Sequence, residues 1–372
     1  MVGLVIWAHS YCRSTLGFFK ELGKSFNVPL KVCIWKKNAK LRTNVGFTED
    51  EFNDLDITFI GDDYNLAYAI LLEHKLDNHI FGAYQAIELY QRLILAAKNI
   101  GCKIAIASEA PCNMNVGLRR FQKDIYIKYI LPIKVKKQIQ AADFIINFSG
   151  DDEQSLVKIG WPKEKIIPCG YYSPRILNTK LIKRDEYNWN NFNILLTGIH
   201  QWHRSPMLLL QALKILKYQG LSPICNITQE GPLLDRMKKF VSYNNLNNVH
   251  FLGFVSMKVL CQLYETCSLY IGTGNYEPWG MRLNDALQCG APLVVNKGMG
   301  GVKLVNDYGC GSSFEKNDYR SLASILTKLI TNRDEYLKVA DAAFNACEYI
   351  TPESKAKEIA GIIQANFKGW KI

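Results

Sequence analysis

Hydrophobic positions along this 372-residue chain fall in short β-rich runs, separated by longer stretches whose apolar residues recur at helical spacing. In the first half the runs predict strands at Leu4–Ala8, Lys31–Trp35, Ile57–Ile60, Lys103–Ala107, Phe144–Phe148 and Lys165–Pro168. In the second half they predict strands at Asn193–Thr197, Pro223–Thr228, Val249–Leu252, Leu269–Gly272 and Pro292–Asn296. Segments between them, such as PMLLLQALKILKYQG, keep a helical period and stop on glycine. Alternation of strand and helix implies parallel sheets covered by helices on both faces, and here the rhythm occurs twice. The intervening stretch YYSPRILNTKLIKRDEYNWNNF is polar, charged and aperiodic, which reads as a linker. The expected class is α/β, with two Rossmann-like domains, residues 1–170 and 192–350, facing each other across a cleft and joined by a linker at 171–191. The final amphipathic segment, 351–372, is expected to pack back across the domains as a helix. Sheets of this kind take their ligands at the carboxyl ends of the strands.

Composition narrows the class. The apolar fraction of 48% is that of a globular protein, and no apolar run approaches the roughly 18 residues that a bilayer-spanning helix needs. The N-terminal MVGLVIWAHSYCRST reads as a first strand and not as a leader. Eleven cysteines, an odd number without a CxxC pair, point to reduced, buried thiols in a cytosolic protein. The formal charge of +11 calls for an anionic partner: nucleic acid, a lipid surface or a phosphorylated small molecule. Nucleic acid is disfavoured, because no RNA-binding signature or zinc finger is present and the excess charge is spread over both halves. A nicotinamide dehydrogenase is disfavoured as well, since no G-x-G-x-x-G follows a strand.

One stretch carries most of the chemistry. NYEPWGMRLNDALQCGAP, residues 275–292, follows the strand SLYIGT and precedes PLVVN and the glycine-rich KGMGG. This is a β-α-β unit whose loop delivers a helix N-terminus, where free N–H groups and the helix dipole suit a phosphate. Leu283, Ala286 and Leu287 form the apolar face of that helix, so Asp285 points elsewhere. Read locally, two accounts stay open. Arg282 and Asp285 could be a solvated i,i+3 pair worth a few tenths of a kcal/mol, or Glu277 and Asp285 could be two acceptor groups placed around one ligand.

The wider order of residues resembles the retaining glycosyltransferases of the GT-B fold, in particular family 4. Their hallmark is a Glu-x7-Glu motif opening a helix, followed by C-G-x-P-V-V and a glycine-rich loop. Glu277, Trp279, Gly280, Met281, Asp285, Cys289, Gly290 and Pro292 fill those places in order. VHFLGFVSMKVLCQLYETCSLYIGT is similar to the stretch upstream, and QEGPLLDRMKK, through Gly231 and Pro232, to the G-x-G-P-x segment. LLTGIHQWHRSPMLLLQALKIL looks like the opening of the family's second domain.

The resemblance implies roles residue by residue. Glu277 would accept hydrogen bonds from hydroxyls of the donor sugar, and Asp285, one methylene shorter than the usual glutamate, from the ribose. Backbone N–H groups of Trp279, Gly280, Met281 and Arg282 would lie against the sugar and diphosphate. Arg204 matches a cation that grips the diphosphate; Ile199 stands where a second is usual, with His200, Arg282 and Lys297 as its candidate replacements. Gly231 and His200 complete the expected donor-binding set, and Glu277, Arg204 and Glu109 the expected catalytic set. His9, Glu109 and Asn113, on loops after first-domain strands, are expected to bind the acceptor. The implied reaction is metal-independent transfer with retention from a UDP- or GDP-sugar to a glycan or lipid-linked acceptor, in building a surface polysaccharide. No cofactor beyond the nucleotide-sugar co-substrate is expected. A metal-dependent GT-A enzyme would need an Asp-x-Asp at a strand's end, whereas Asp54 and Asp56 precede a strand. A sugar-nucleotide epimerase of the same fold, and an inactive nucleotide-sugar-binding protein, are the alternatives.

Residues 117–140 carry seven Lys and Arg (Arg119, Arg120, Lys123, Lys128, Lys134, Lys136 and Lys137) against Asp124 alone, interleaved with Phe121, Tyr126 and Tyr129. Basic plus aromatic is the pattern of a surface that docks on anionic lipid. The same pattern also suits a solvated helix face with Ile125, Ile127 and Ile130 partly in the core, and Pro132 is expected to interrupt the helix. The expected place is the cytoplasm, peripheral on the inner face of the plasma membrane.

Overall fold

The computed structural model describes residues 2–36, 52–115, 117–176 and 179–370. It divides into two compact units: Met1–Asn113, Gly117–Pro174 and Thr351–Ile372 form the first, Met114–Val116 and Arg175–Ile350 the second. Residues 177–178 of the expected linker and 371–372 of the expected final helix lie outside the described residues.

The first unit is built on a seven-stranded parallel sheet of order β3-β2-β1-β4-β5-β6-β7. Its strands are β1 (Leu4–Ser10), β2 (Leu30–Lys36), β3 (Asp56–Phe59), β4 (Asn78–Gly82), β5 (Lys103–Ser108), β6 (Phe144–Asn147) and β7 (Ile166–Pro168). The apolar runs predict all of them except β4, which lies next to β1 in the middle of the sheet. Asn78 and His79 hide it, being polar residues in a fully buried strand. His79 is tolerated there because both ring nitrogens are used. Trp7 Nε1 donates to Nδ1 at 3.2 Å, so Nε2 carries the hydrogen, 3.0 Å from the His74 carbonyl. Burial holds that imidazole neutral, with its pKa down at about 4. Asp54 and Asp56 pair with Lys20 and Lys31, an ordinary ionic arrangement at the amino end of β3. The helix Pro352–Asn366, capped by Thr351, belongs to this unit and packs on the helix Arg13–Phe26. A Cβ on Gly17 of the latter would come within 2.8 Å of the Pro174 ring, so the close approach there requires glycine.

The second unit holds a six-stranded parallel sheet, β10-β9-β8-β11-β12-β13. Its strands are β8 (Asn193–Leu196), β9 (Ile224–Thr228), β10 (Val249–Gly253), β11 (Leu269–Gly272), β12 (Leu293–Asn296) and β13 (Gly311–Phe314). The edge strand β13 is missed by the pattern because GSSF carries a single large apolar residue. Arg184, inside the polar stretch read as linker, is fully buried. Its guanidinium donates to four carbonyls, those of Ile182, Tyr264, Cys267 and Cys289. Three of these lie at the carboxyl ends of the helices Met257–Thr266 and Met281–Gln288, where partial negative charge offsets the cost of burying a cation. All eleven cysteines are free thiols, and all but Cys12 and Cys112 are buried. Among the described residues, no helix is long and apolar enough to cross a membrane.

In each sheet the strand order reverses once, between β1 and β4 and between β8 and β11. At such a switch point the loops after two neighbouring strands diverge and leave a crevice.

Candidate functional site

The loops after β8 and β11 meet at the switch point of the second unit. Thr273, following β11, donates through Oγ1 to the carbonyl of Arg204 at 2.6 Å. Asn275 Nδ2 donates to Ser205 Oγ at 2.7 Å and to Asn317 Oδ1 at 2.5 Å, and its own Oδ1 accepts from Asn296 Nδ2 at 2.8 Å. Asn296, at the end of β12, also accepts from the backbone N–H of Gly298 at 2.8 Å. These buried amides lock the loops after β8, β11, β12 and β13 into one frame. Sequence reasoning missed them, because residues spaced 21 and 42 positions apart leave no local signal.

That frame fixes Glu277. Its N–H donates to the carbonyl of Gly298, and its carbonyl accepts from Gly300, so the motif loop and the glycine-rich loop are stitched like two short strands. A Cβ on Gly301 would lie 2.7 Å from the Trp279 carbonyl, and one on Gly298 would overlap the backbone of Asn275. The glycines are therefore required by close approach of two backbones. Trp279 itself is buried, with Nε1 donating to Asn284 Oδ1 at 2.7 Å; its side chain anchors the turn, and only its backbone can face a ligand.

Charge gathers at Gly198, the second residue beyond β8, whose φ of 123° is open mainly to glycine. A Cβ there would come within 2.7 Å of Arg204 Nη1 and 3.9 Å of Arg282 Cζ, so both guanidinium groups lie against this glycine. Arg204 Nη2 is 3.6 Å from Glu277 Oε1. Arg204 Nε and Arg282 Nη1 are buried without a hydrogen-bond partner. Of the other two candidate cations, Lys297 is paired with Glu315. His200 is buried and held neutral, with a pKa near 4, by burial first and then by the charges of Arg282 and Arg204. His200 Nε2 also lacks a partner. A Cβ on Gly231 would come within 2.6 Å of the backbone N and O of His200, which is why glycine stands there. Burial and the Arg204 charge likewise lower the pKa of His203.

The helix Met281–Gln288 begins at Gly280, whose φ of 98° turns the chain, and its amino end opens beside Arg282. On that helix Leu283, Ala286 and Leu287 are buried and Asp285 is half-buried. Beneath lie Tyr264 and Tyr270, whose hydroxyls meet Thr197 Oγ1 at 3.3 Å and 2.9 Å. Burial pushes Tyr270 up to about 12; the Arg282 charge opposes this, while Glu277 and Asp285 add to it. The arrangement is a floor of neutral hydroxyls under two cations and two carboxylates. Two cations with unused N–H groups beside the open end of a helix can hold a dianion.

His9, Glu109 and Asn113 belong to the first unit. His9, near the carboxyl end of β1, lies against Trp35, with ring centroids 5.4 Å apart. Glu109, after β5, is half-buried next to Tyr171, whose titration is pushed well up by burial and then by the Glu109 charge. Asn113 uses both amide hydrogens locally, on the Arg120 carbonyl at 2.8 Å and on Asp124 Oδ1 at 2.7 Å. Among the described residues, no group of three His, Cys, Asp or Glu is placed to hold a metal ion.

Residues 183–346 match the family of glycosyl transferases group 1. The second unit thus carries a glycosyltransferase group 1 domain. A 149-residue segment is 24% identical to the uncharacterized glycosyltransferase MJ1178 of Methanocaldococcus jannaschii, covering 40% of this chain and 41% of that one. A 170-residue segment is 26% identical to the uncharacterized glycosyltransferase YqgM of Bacillus subtilis, covering 44% of each chain. The aligned part is therefore less than half the length of these curated relatives. The structure of Anabaena HepE in complex with UDP superposes with a TM-score of 0.71 at 15% identity, over 98% of this chain and 100% of that one. That likeness is one of fold, and it identifies the two Rossmann-like halves as the GT-B architecture.

Proposed function

We propose that this glycosyltransferase group 1 protein moves a hexosyl residue from a UDP- or GDP-sugar to a hydroxyl of a glycan or lipid-linked saccharide. The observation that carries the reading is the pair of guanidinium groups against Gly198, with buried N–H groups unused and Glu277 beside them. The family match over residues 183–346 and a neighbour solved with UDP support it.

In this reading the diphosphate sits on Arg204, Arg282 and the N–H groups that open the helix Met281–Gln288. Glu277 accepts from the sugar hydroxyls and Asp285 from the ribose. The bond between C1 and the diphosphate oxygen breaks, its electron pair staying on that oxygen. The acceptor oxygen bonds to C1 from the same face, and its proton passes to the departing diphosphate, giving retention without a protein nucleophile. Fixed cations aimed at the leaving oxygen supply a few kcal/mol each at the transition state, the task that a divalent metal performs elsewhere. Glu109 and His9 would orient the acceptor, with Asn113 holding the loop after β5 on which Glu109 lies. The natural setting of such a reaction is surface-polysaccharide assembly on the cytoplasmic side of the membrane.

The test is turnover. The protein is incubated with UDP- and GDP-hexoses plus saccharide acceptors, and release of nucleoside diphosphate is followed with and without EDTA. The reading expects release that EDTA leaves unchanged and a product whose anomeric coupling matches that of the donor. An inverted product or EDTA-sensitive release would refute the mechanism. Sugar binding without release would favour the inactive binding protein, for which Ile199 in place of the usual arginine is the motivating residue.

A further inference from the structure

We propose that Tyr171 is a positioning residue for the acceptor side of the reaction, one that fixes the Glu109 carboxylate at the carboxyl end of the first sheet. The role rests on the transferase reading above and adds to it a residue that no motif marks. The main chain of Glu109, which follows β5, is held from several directions. Ser108 Oγ and Gln85 Nε2 donate to its carbonyl at 3.3 Å and 3.4 Å. The next N–H, that of Ala110, donates to Ser149 Oγ at 2.9 Å, and the Ser149 N–H donates to Asn147 Oδ1 at 3.0 Å. Asn147, the last residue of β6, is fully buried and does in this sheet what Asn296 does in the other. Its carbonyl also accepts from the N–H groups of Cys169 and Gly170, at 2.9 Å and 3.2 Å, so the loops after β5, β6 and β7 share one anchor.

These bonds fix the backbone of Glu109 but not the torsions of its long side chain, which lose much freedom when ordered. Tyr171, the residue after Gly170, settles them, for its hydroxyl makes a side-chain hydrogen bond with Glu109. The ring stacks on Phe148, with centroids 4.7 Å apart and planes 22° from parallel. Phe148 in turn meets Phe18 and Phe19 edge to face, at 5.9 Å and 6.3 Å. The phenol therefore stands on a packed aromatic base and cannot swing. Burial first, and then the charge of Glu109, push the titration of Tyr171 well above the ordinary range, with Cys12 and Cys169 acting in the same direction. At neutral pH the phenol is thus the donor and the carboxylate the acceptor.

The choice of partner argues for more than packing. A tyrosine that needs only an acceptor for its hydroxyl finds one in a backbone carbonyl, as Tyr90 does on Ala8 at 2.7 Å and Tyr336 on Ser268 at 3.2 Å. Tyr171 takes a half-buried carboxylate beyond the end of a strand, a group whose desolvation is costly unless it is hydrogen-bonded. The loops after β4, β5, β6 and β7 all contribute to holding it. A carboxylate supported in this way is preorganised to accept from a hydroxyl of an incoming saccharide.

The test is a double-mutant cycle on Tyr171→Phe and Glu109→Gln, read as turnover with the nucleotide sugar and saccharide that support release of nucleoside diphosphate. Tyr171→Phe keeps the stack on Phe148, so the melting temperature should stay within a few degrees of wild type. Its kcat should fall about ten- to hundredfold, the worth of one hydrogen bond to a charged group, while KM for the donor stays within about twofold. In the Glu109→Gln background the same change should cost less than about threefold, since the carboxylate it positions is gone. A second readout needs no turnover: in protein labelled with carbon-13 at the tyrosine ζ carbons, Glu109→Gln should move the signal that Tyr171→Phe deletes. Additive losses in the cycle, an equal rise in KM for donor and acceptor, or a Tyr171 signal indifferent to Glu109→Gln would overturn the proposal. Absence of turnover in the wild type would refute the transferase reading and the catalytic role of Tyr171 with it, while the carbon signal would still report the pairing of the two side chains.

Discussion

Glu277→Gln offers a prediction whose sign is informative. The carboxylate lies 3.6 Å from Arg204 Nη2, and the two side chains are 20% and 32% exposed. Opposite charges at that distance attract by roughly 4–5 kcal/mol at an effective dielectric of about 20. Solvent access and side-chain entropy reduce this to about 1 kcal/mol net. In the empty site Glu277 therefore occupies part of Arg204's field, and a diphosphate arriving there meets a negative neighbour. Removing the charge while keeping the shape should tighten the bare nucleoside diphosphate by roughly fivefold, the equivalent of that 1 kcal/mol. The same change should remove most of the extra affinity that the hexose confers, because the strong hydrogen bonds from sugar hydroxyls to a carboxylate are lost. Calorimetric titration of wild type and variant with UDP and UDP-hexose, or the GDP pair, reads both effects. If Glu277→Gln weakened the bare diphosphate as much as Arg204→Ala does, Glu277 would be holding the arginine in place and not the sugar.

Asn296→Ala should cost about 2–4 kcal/mol in urea unfolding, since it removes a fully buried amide and leaves Gly298 N–H and Asn275 without their partner; nucleotide-sugar affinity should fall with it. Gly231→Ala should destabilise by about 1–3 kcal/mol, because its Cβ would press on the backbone of His200, and the midpoint of denaturation should drop accordingly. Acid should weaken the fold. His79 and His200 have folded pKa values near 4, below the ordinary 6.5, so the unfolded chain takes up their protons first. Their contribution is complete above pH 6.5 and is lost as pH falls towards 4, by a few kcal/mol together. Urea midpoints across that range would show it, and a flat profile would refute the neutral assignments.

The alternating pattern of the chain made the architecture legible wherever a strand was apolar, and failed where a strand was polar for a reason of packing. β4 is central yet contains Asn78 and His79, and it is the Trp7 ring and the His74 carbonyl that make His79 acceptable there. β13 lies at an edge, where Phe314 alone of its four residues is buried. Within the site, Glu277, Arg204 and the glycines could be named from the order of short motifs along the chain, each of which falls on a loop that follows a strand of the second unit. The asparagine frame and the hydroxyls of Tyr264 and Tyr270 could not, since their partners come from distant strands. Arg184 looked like linker charge because the carbonyls that neutralise it at helix ends carry no mark in the sequence. In 117–141 the basic and aromatic residues could be read, but not the π-turn Tyr126–Ile130, nor that Pro132 sits in the first turn of the helix Leu131–Ala141 without interrupting it.

The central claim is that Arg204 and Arg282 wait beside Gly198 for a diphosphate. Its most direct test is the melting temperature of wild type, Arg204→Ala and Arg282→Ala with UDP, GDP, ADP, CMP and NAD in turn. A nucleotide at a hundred times its dissociation constant stabilises a fold by about 2.7 kcal/mol. The account expects one nucleoside diphosphate to raise the melting temperature of the wild type, and each arginine variant to lose most of that rise while melting within a few degrees of wild type when empty. A rise that survives both substitutions, or no rise with any nucleoside diphosphate, would contradict it.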